Sequence, residues 1–129
     1  MIKFYRTDHK VLSEITEYED NMWVCMTKPT VDETKLIAED FEIDLADVRA
    51  ALDDEESSRV EVEDGYTLIL VDIPSIEMRN EREAYTTIPL GIILVKDILI
   101  TVCAEDTPVL DAFIESKVKE FSTKKRMRF

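Results

Sequence analysis

The chain has 129 residues, 45% hydrophobic and 8% aromatic, and carries a formal net charge of −13 from 29 acidic against 16 basic side chains. That length suits one domain, 1–129, with a substantial core, and the apolar content speaks against disorder. The acidic balance disfavours nucleic acid, whose phosphates need a basic surface, and no apolar run reaches the roughly 18 residues that span a bilayer. Lys3, Arg6, Asp8 and Lys10 interrupt the N-terminus, so no secretory signal is visible and the chain reads as soluble.

Ile2–Arg6 and Lys10–Ile15 read as short strands joined around Asp8 and His9, mixing apolar and charged positions as an edge does. Met22–Met26 reads as a more buried strand, with Trp23, the only tryptophan, in the core. The period then changes. Thr30 followed by Glu33 is a capping box, and Leu36, Ile37 and Phe41 supply an apolar helical face. Asp44 caps a second short helix carrying Leu45, Val48 and Leu52. The acidic run Asp53-Asp-Glu-Glu56 follows.

Two hairpins form the expected centre of the sheet. In the first, Val60–Glu63 and Tyr66–Ile73 flank Asp64-Gly65, a strong turn signal because glycine accepts positive φ without steric cost. In the second, Ile88-Pro-Leu-Gly-Ile-Ile-Leu-Val95 and Ile98-Leu-Ile-Thr-Val-Cys103 flank Lys96-Asp97. Neither apolar run of the second hairpin alternates with polar residues, so both faces should be covered. The polar stretch between Pro74 and Thr87 reads as a mobile loop, with Tyr85–Thr87 re-entering the sheet. Thr107-Pro108 then opens a helix whose packing face is Leu110, Phe113, Ile114, Val118 and Phe121. Lys124, Lys125, Arg126 and Arg128 crowd the end, and without a Gly or Pro stop the chain reads as a piece of a longer protein.

Little here supports catalysis, and an enzyme is not expected. His9 is the only histidine, and Cys25 and Cys103 lie in strand-like runs without a Cys-x-x-Cys pair. They read as buried reduced thiols, without spacing for a zinc site. The two glycines cannot make a Gly-rich phosphate loop. The best local site for a hard cation is the acidic run, with Asp53, Asp54 and Glu55 as ligands, because carboxylate oxygens suit Mg²⁺ and Ca²⁺.

The order of these pieces resembles the N-terminal cytoplasmic domain of the CorA family of Mg²⁺ and divalent-cation transporters. The likeness begins at Trp23 and continues through Ala51-Leu-Asp-Asp-Glu-Glu-Ser-Ser-Arg-Val-Glu61, which is similar to the family's helix end and "RPRVE"-type strand entry. It extends over Asp64-Gly-Tyr-Thr-Leu-Ile-Leu-Val-Asp-Ile-Pro74 and Pro89-Leu-Gly-Ile-Ile-Leu-Val-Lys-Asp-Ile-Leu-Ile-Thr-Val-Cys103. Arg49-Ala50 stand where the family often carries a Glu-Asp pair belonging to a regulatory cation site between subunits, and Ser58 replaces a Pro.

The resemblance implies an α+β fold, an α/β/α sandwich with a mixed, largely antiparallel sheet of six to seven strands. It implies a homopentamer in the intact protein, anchored to the membrane by C-terminal helices absent from this chain, with this domain on the cytoplasmic face of the cell membrane gating ion flux. Weak regulatory Mg²⁺ binding would fall at Asp53, Asp54 and Glu55. The alternatives are a stand-alone soluble binding module and a zinc-type transporter of the same superfamily.

Overall fold

The structure, a computed structural model, describes residues 1–53, 55–79, 82–115, 122–124 and 129, with side chains of 76–79 and 82–85 left aside. Its elements in chain order are β1 (Ile2–Asp8), β2 (Val11–Ile15), β3 (Trp23–Thr27), α1 (Val31–Asp40), α2 (Leu45–Val48), a 3-10 turn (Ala50–Leu52), β4 (Arg59–Glu63), β5 (Tyr66–Arg79), β6 (Arg82–Val95), β7 (Ile98–Cys103) and α3 (Pro108–Ile114). The strands form one seven-stranded sheet in the order β2-β1-β3-β7-β6-β5-β4. Every neighbouring pair is antiparallel except β3 and β7, which run parallel with Trp23 opposite Leu99 and Thr27 opposite Cys103. The sheet is therefore mixed and largely antiparallel, as expected.

The hairpin tips follow local chemistry. Gly65 takes φ +91 at the β4–β5 turn, where Glu63 pairs with Tyr66. The β1–β2 tip falls on His9 and Lys10, both at positive φ, one residue later than the sequence suggested. Two consecutive left-handed residues match the twist of the flanking strands.

The stretch from Pro74 to Thr87, expected to be a mobile loop, is instead strand. β5 and β6 stay in register from Tyr66↔Val95 through Pro74↔Thr87 to Arg79↔Arg82, with Asn80 and Glu81 outside the described residues. Its polarity has a simple cause. On β6 only Leu90–Val95 pair with β7, and on β5 only Tyr66–Leu70 pair with β4, so the far end is a two-stranded ribbon beyond the sheet. Pro74 and Pro89 lie in this part, where one side of each strand has no ladder and a missing N–H costs little.

Two apolar layers cover the sheet. On one face Met22, Val24, Met26, Leu68, Leu70, Ile93, Ile100 and Val102 pack under Ile37 of α1, Val48 of α2 and Ala51. On the other, Tyr5, Trp23, Cys25, Ile73, Leu90, Leu99 and Cys103 pack with Leu110 of α3. Successive residues of β3 and β7 therefore enter opposite layers, which is why neither strand alternates with polar residues. Trp23 is fully buried, and its indole N–H donates to Thr101 Oγ1 at 2.9 Å.

The caps are those expected. Thr30 Oγ1 accepts from Glu33 N at 3.1 Å while Glu33 Oε1 accepts from Thr30 N at 2.9 Å. Asp44 and Thr107 cap α2 and α3, and Pro108 opens α3. Leu36 departs from the expected face: it is 49% exposed, because Thr34, Ile37 and Ala38 point inward and Leu36 lies off that stripe. On α3, Leu110, Phe113 and Ile114 join the second layer, while Val118 and Phe121 lie outside the described residues. Both cysteines are free and buried.

Candidate cation site

The 3-10 turn after α2 lies directly on the sheet. A Cβ built on Gly91 of β6 would stand 3.1 Å from Ala51 Cβ, so a residue without a side chain permits this approach. The close seat brings the short α2 over the β4–β5 edge. Asp44 Oδ1 accepts from Ala46 N at 3.0 Å and sets the start of α2, which places Asp47 on its single turn.

From the sheet side, β4 presents Glu61 and Glu63 on one face, since residues two apart in a strand share a face. Tyr66, the cross-strand partner of Glu63, reaches up to α2: its hydroxyl donates to Asp47 Oδ2 at 2.5 Å and accepts from Asp44 N at 3.3 Å. Burial, and then the bond to Asp47, push the Tyr66 phenol up to about 12, so it remains a donor. One carboxylate oxygen from each of Asp47, Glu61 and Glu63 lies within 4.8 Å of the others. At that spacing each pair of charges repels by about 1 kcal/mol in a water-like medium, and a bound divalent cation would reverse the sign. Arg59 relieves part of the repulsion. Its Nε donates to Glu61 Oε1 at 2.5 Å and its Nη1 to Glu56, and both carboxylates hold the guanidinium protonated.

The three-oxygen set suits a hard cation that keeps part of its water shell, as Mg²⁺ does. Zinc favours nitrogen and sulfur donors, and among the described residues no histidine or cysteine joins the group. Arg49, adjacent in sequence, turns to α1 and donates to Thr34 Oγ1 at 2.9 Å.

Of the acids singled out from sequence, Asp53 and Glu55 do not belong to this group. Asp53 ends the 3-10 turn, with Oδ1 accepting from Glu55 N at 3.0 Å and its carbonyl accepting from Glu56 N at 3.2 Å. Glu55 is exposed, and Asp54 lies outside the described residues. The signal for Glu61 and Glu63 was already in the alternation Val60-Glu-Val-Glu63. Asp47 joins them through packing alone.

Comparison with known proteins agrees with this architecture. The family described as CorA-like Mg²⁺ transporter protein matches residues 18–126. No curated protein matches the chain. The soluble domain of CorA from Methanocaldococcus jannaschii is similar over 97% of this chain and 50% of its own, at 21% identity and a TM-score of 0.72. The complete CorA magnesium transporter from the same organism is similar over 95% of this chain and 40% of its own, at 19% identity and a TM-score of 0.67. The cytoplasmic domain of ZntB from Vibrio parahaemolyticus is similar over 90% of this chain and 48% of its own, at 16% identity and a TM-score of 0.67. The chain thus spans half or less of the length of each of these structures, and at these identities what they share with it is the fold. The match over residues 18–126 places the chain in the family of CorA-like Mg²⁺ transporter proteins.

Proposed function

We propose that this chain is a regulatory and assembly domain of a divalent-cation transport protein, lying on the cytoplasmic face of the membrane and binding rather than transforming its ligand. The observation that carries the reading is the family match over residues 18–126, joined to a fold shared with a CorA soluble domain. Among the described residues no helix is long and apolar enough to cross a membrane, so conduction would belong to parts outside this chain. In the intact protein the domain would assemble as a homopentamer and bias ion flux by sensing Mg²⁺.

The proposed sensor is Asp47 with Glu61 and Glu63, and the acidic run Asp53, Asp54 and Glu55, which follows α2 in sequence, remains the second candidate for weak Mg²⁺ binding. Three partly solvated carboxylates without a closed cage fit millimolar affinity, about −4 kcal/mol. In calorimetry on the 129-residue chain, Mg²⁺ should bind in that range and Asp47→Asn should weaken it about tenfold. A micromolar site indifferent to Asp47→Asn and Glu63→Gln would move the sensor elsewhere.

A second reading, a zinc-type transporter, draws on the likeness to the ZntB domain. The oxygen-only donor set favours the magnesium reading. Zn²⁺ binding far tighter than Mg²⁺ at the same acids would reverse that order.

A further inference from the structure

Pairing along the sheet leaves one side of β4 open among the described residues. β4 ends the strand order, and its inner side is taken by β5. Glu63 and Tyr66 close the two-residue Asp64-Gly65 turn as a hydrogen-bonded pair, so by alternation Glu61 and Arg59 also turn their main-chain groups toward β5. The N–H and C=O groups of Val60 and Val62 therefore point to the open edge. A row of such groups is a template for another strand. The same two residues carry the most exposed large hydrophobic side chains among the described residues, at 64% and 80%. Both lie on the face opposite Glu61 and Glu63.

The strand is also complementary to itself. In an antiparallel pair of β4 strands with a two-fold axis at Glu61, Arg59 faces the partner's Glu63 and Val60 faces the partner's Val62, and both relations repeat across the axis. The two outward-facing residues then exchange main-chain hydrogen bonds with each other, the valines pack in pairs, and opposite charges stand directly across at both ends. Glu61 meets the partner's Glu61 on the axis, but each already holds its own Arg59, whose Nε donates to Oε1 at 2.5 Å. The neighbouring registers lose this match. An axis at Val62 sets Glu61 against the partner's Glu63, and an axis at Val60 leaves Val62 against the partner's Ser58, outside the strand. At the opposite edge of the sheet, β2 centred on Ser13 would set Leu12 against the partner's Glu14.

We propose that the open edge of β4 docks a second copy of this chain, joining the two sheets antiparallel through residues 59–63. The contact is small, so the dimer is weak, with a dissociation constant of about 10⁻⁴ M. Being two-fold, it is separate from the five-fold assembly proposed above and stands whether or not that reading holds. A divalent cation at Asp47, Glu61 and Glu63 would compete with the partner's arginine, so the pairing is strongest without one.

Sedimentation velocity and amide NMR of the 129-residue chain in EDTA, between about 10 µM and 1 mM, test this. The average mass should rise toward that of a dimer, with shifts centred on the Val60 and Val62 amides. Val62→Lys, at an exposed position, should weaken association about tenfold. Arg59→Glu and Glu63→Arg should each self-associate about tenfold more weakly, because like charges then face each other at both ends, yet a mixture of the two should pair as the native chain does. Both variants stay net acidic, so opposite net charges do not produce that rescue. A chain monomeric at the upper concentration, which would leave the edge to some other strand, would overturn the proposal. So would shifts centred on Val11 or elsewhere outside β4, a Val62→Lys chain that associates as the native one does, or a mixture of the two charge variants, both folded by circular dichroism, that pairs no more tightly than its components.

Discussion

The Tyr66 hydroxyl stands 2.5 Å from Asp47 Oδ2 and so ties the outer hairpin of the sheet to the second helix. A carboxylate has about four lone-pair sites, so this one bond leaves Asp47 room for a cation while fixing its direction. Tyr66→Phe keeps the ring and removes the bond. It should cost about 1–2 kcal/mol of stability, as a bond to a charged acceptor does, and weaken Mg²⁺ about threefold by loosening Asp47. Calorimetry showing Mg²⁺ bound as tightly or more tightly would mean that the phenol competes with the ion and does not position its ligand.

The central strands set a contrast between neighbours. Ile100 is fully buried in the layer under α1 and α2, whereas Leu94 on β6 is only half-buried against the opposite layer. Ile100→Ala should cost about 2–5 kcal/mol and Leu94→Ala clearly less, because the cost grows with the cavity left behind. Equal denaturant midpoints for the two variants would contradict this placement.

Gly91 should tolerate no side chain. Its Cβ would meet Ala51 at 3.1 Å, and Ala51 belongs to a turn packed on the sheet. Gly91→Ala should destabilise by about 1–3 kcal/mol through overpacking. The double variant Gly91→Ala with Ala51→Gly should recover part of that, since the clash is between those two Cβ atoms. Failure of the double variant to recover anything, seen by urea unfolding, would place the cost elsewhere.

Alkaline pH should unfold the chain through its phenols. Tyr5, Tyr18 and Tyr66 are each pushed up to about 12 from 10, mainly by burial. A group raised on folding contributes stability that is intact below its unfolded value and is lost as pH rises through the folded one. Stability should therefore be flat up to about pH 10 and fall between about 10 and 12. Phenolate absorbance should show these tyrosines ionising together with loss of structure, and normal titration near pH 10 in the folded chain would refute it.

Most of the fold was legible because its signals are local. The Asp64-Gly65 turn, the Thr30–Glu33 box, the caps at Asp44 and Thr107 and the apolar runs of β6 and β7 each depend on a few adjacent residues. The ribbon from Pro74 to Thr87 was not legible, because it runs past its neighbouring strands and its sequence carries a loop's polarity in place of an apolar alternation. The candidate cation site was half legible. Alternation put Glu61 and Glu63 on one face, but Asp47 reaches them only through Tyr66 and the close seat of Ala51 on Gly91. Density of acid along the chain pointed to Asp53, Asp54 and Glu55, of which Asp53 accepts from Glu55 N.

The single parallel seam has a kinetic consequence. The β4–β5 and β6–β7 hairpins close over two-residue turns, whereas Trp23 and Thr101 meet across 78 residues of chain. Closing so long a segment carries its entropy cost before any contact rewards it. The C-terminal four strands should consequently order first, and docking of β1–β3 along β7 should be the late event of folding. Since the indole of Trp23 sits on that seam, its fluorescence should lag behind far-ultraviolet ellipticity in refolding, and variants at Val24 should slow folding less than they speed unfolding.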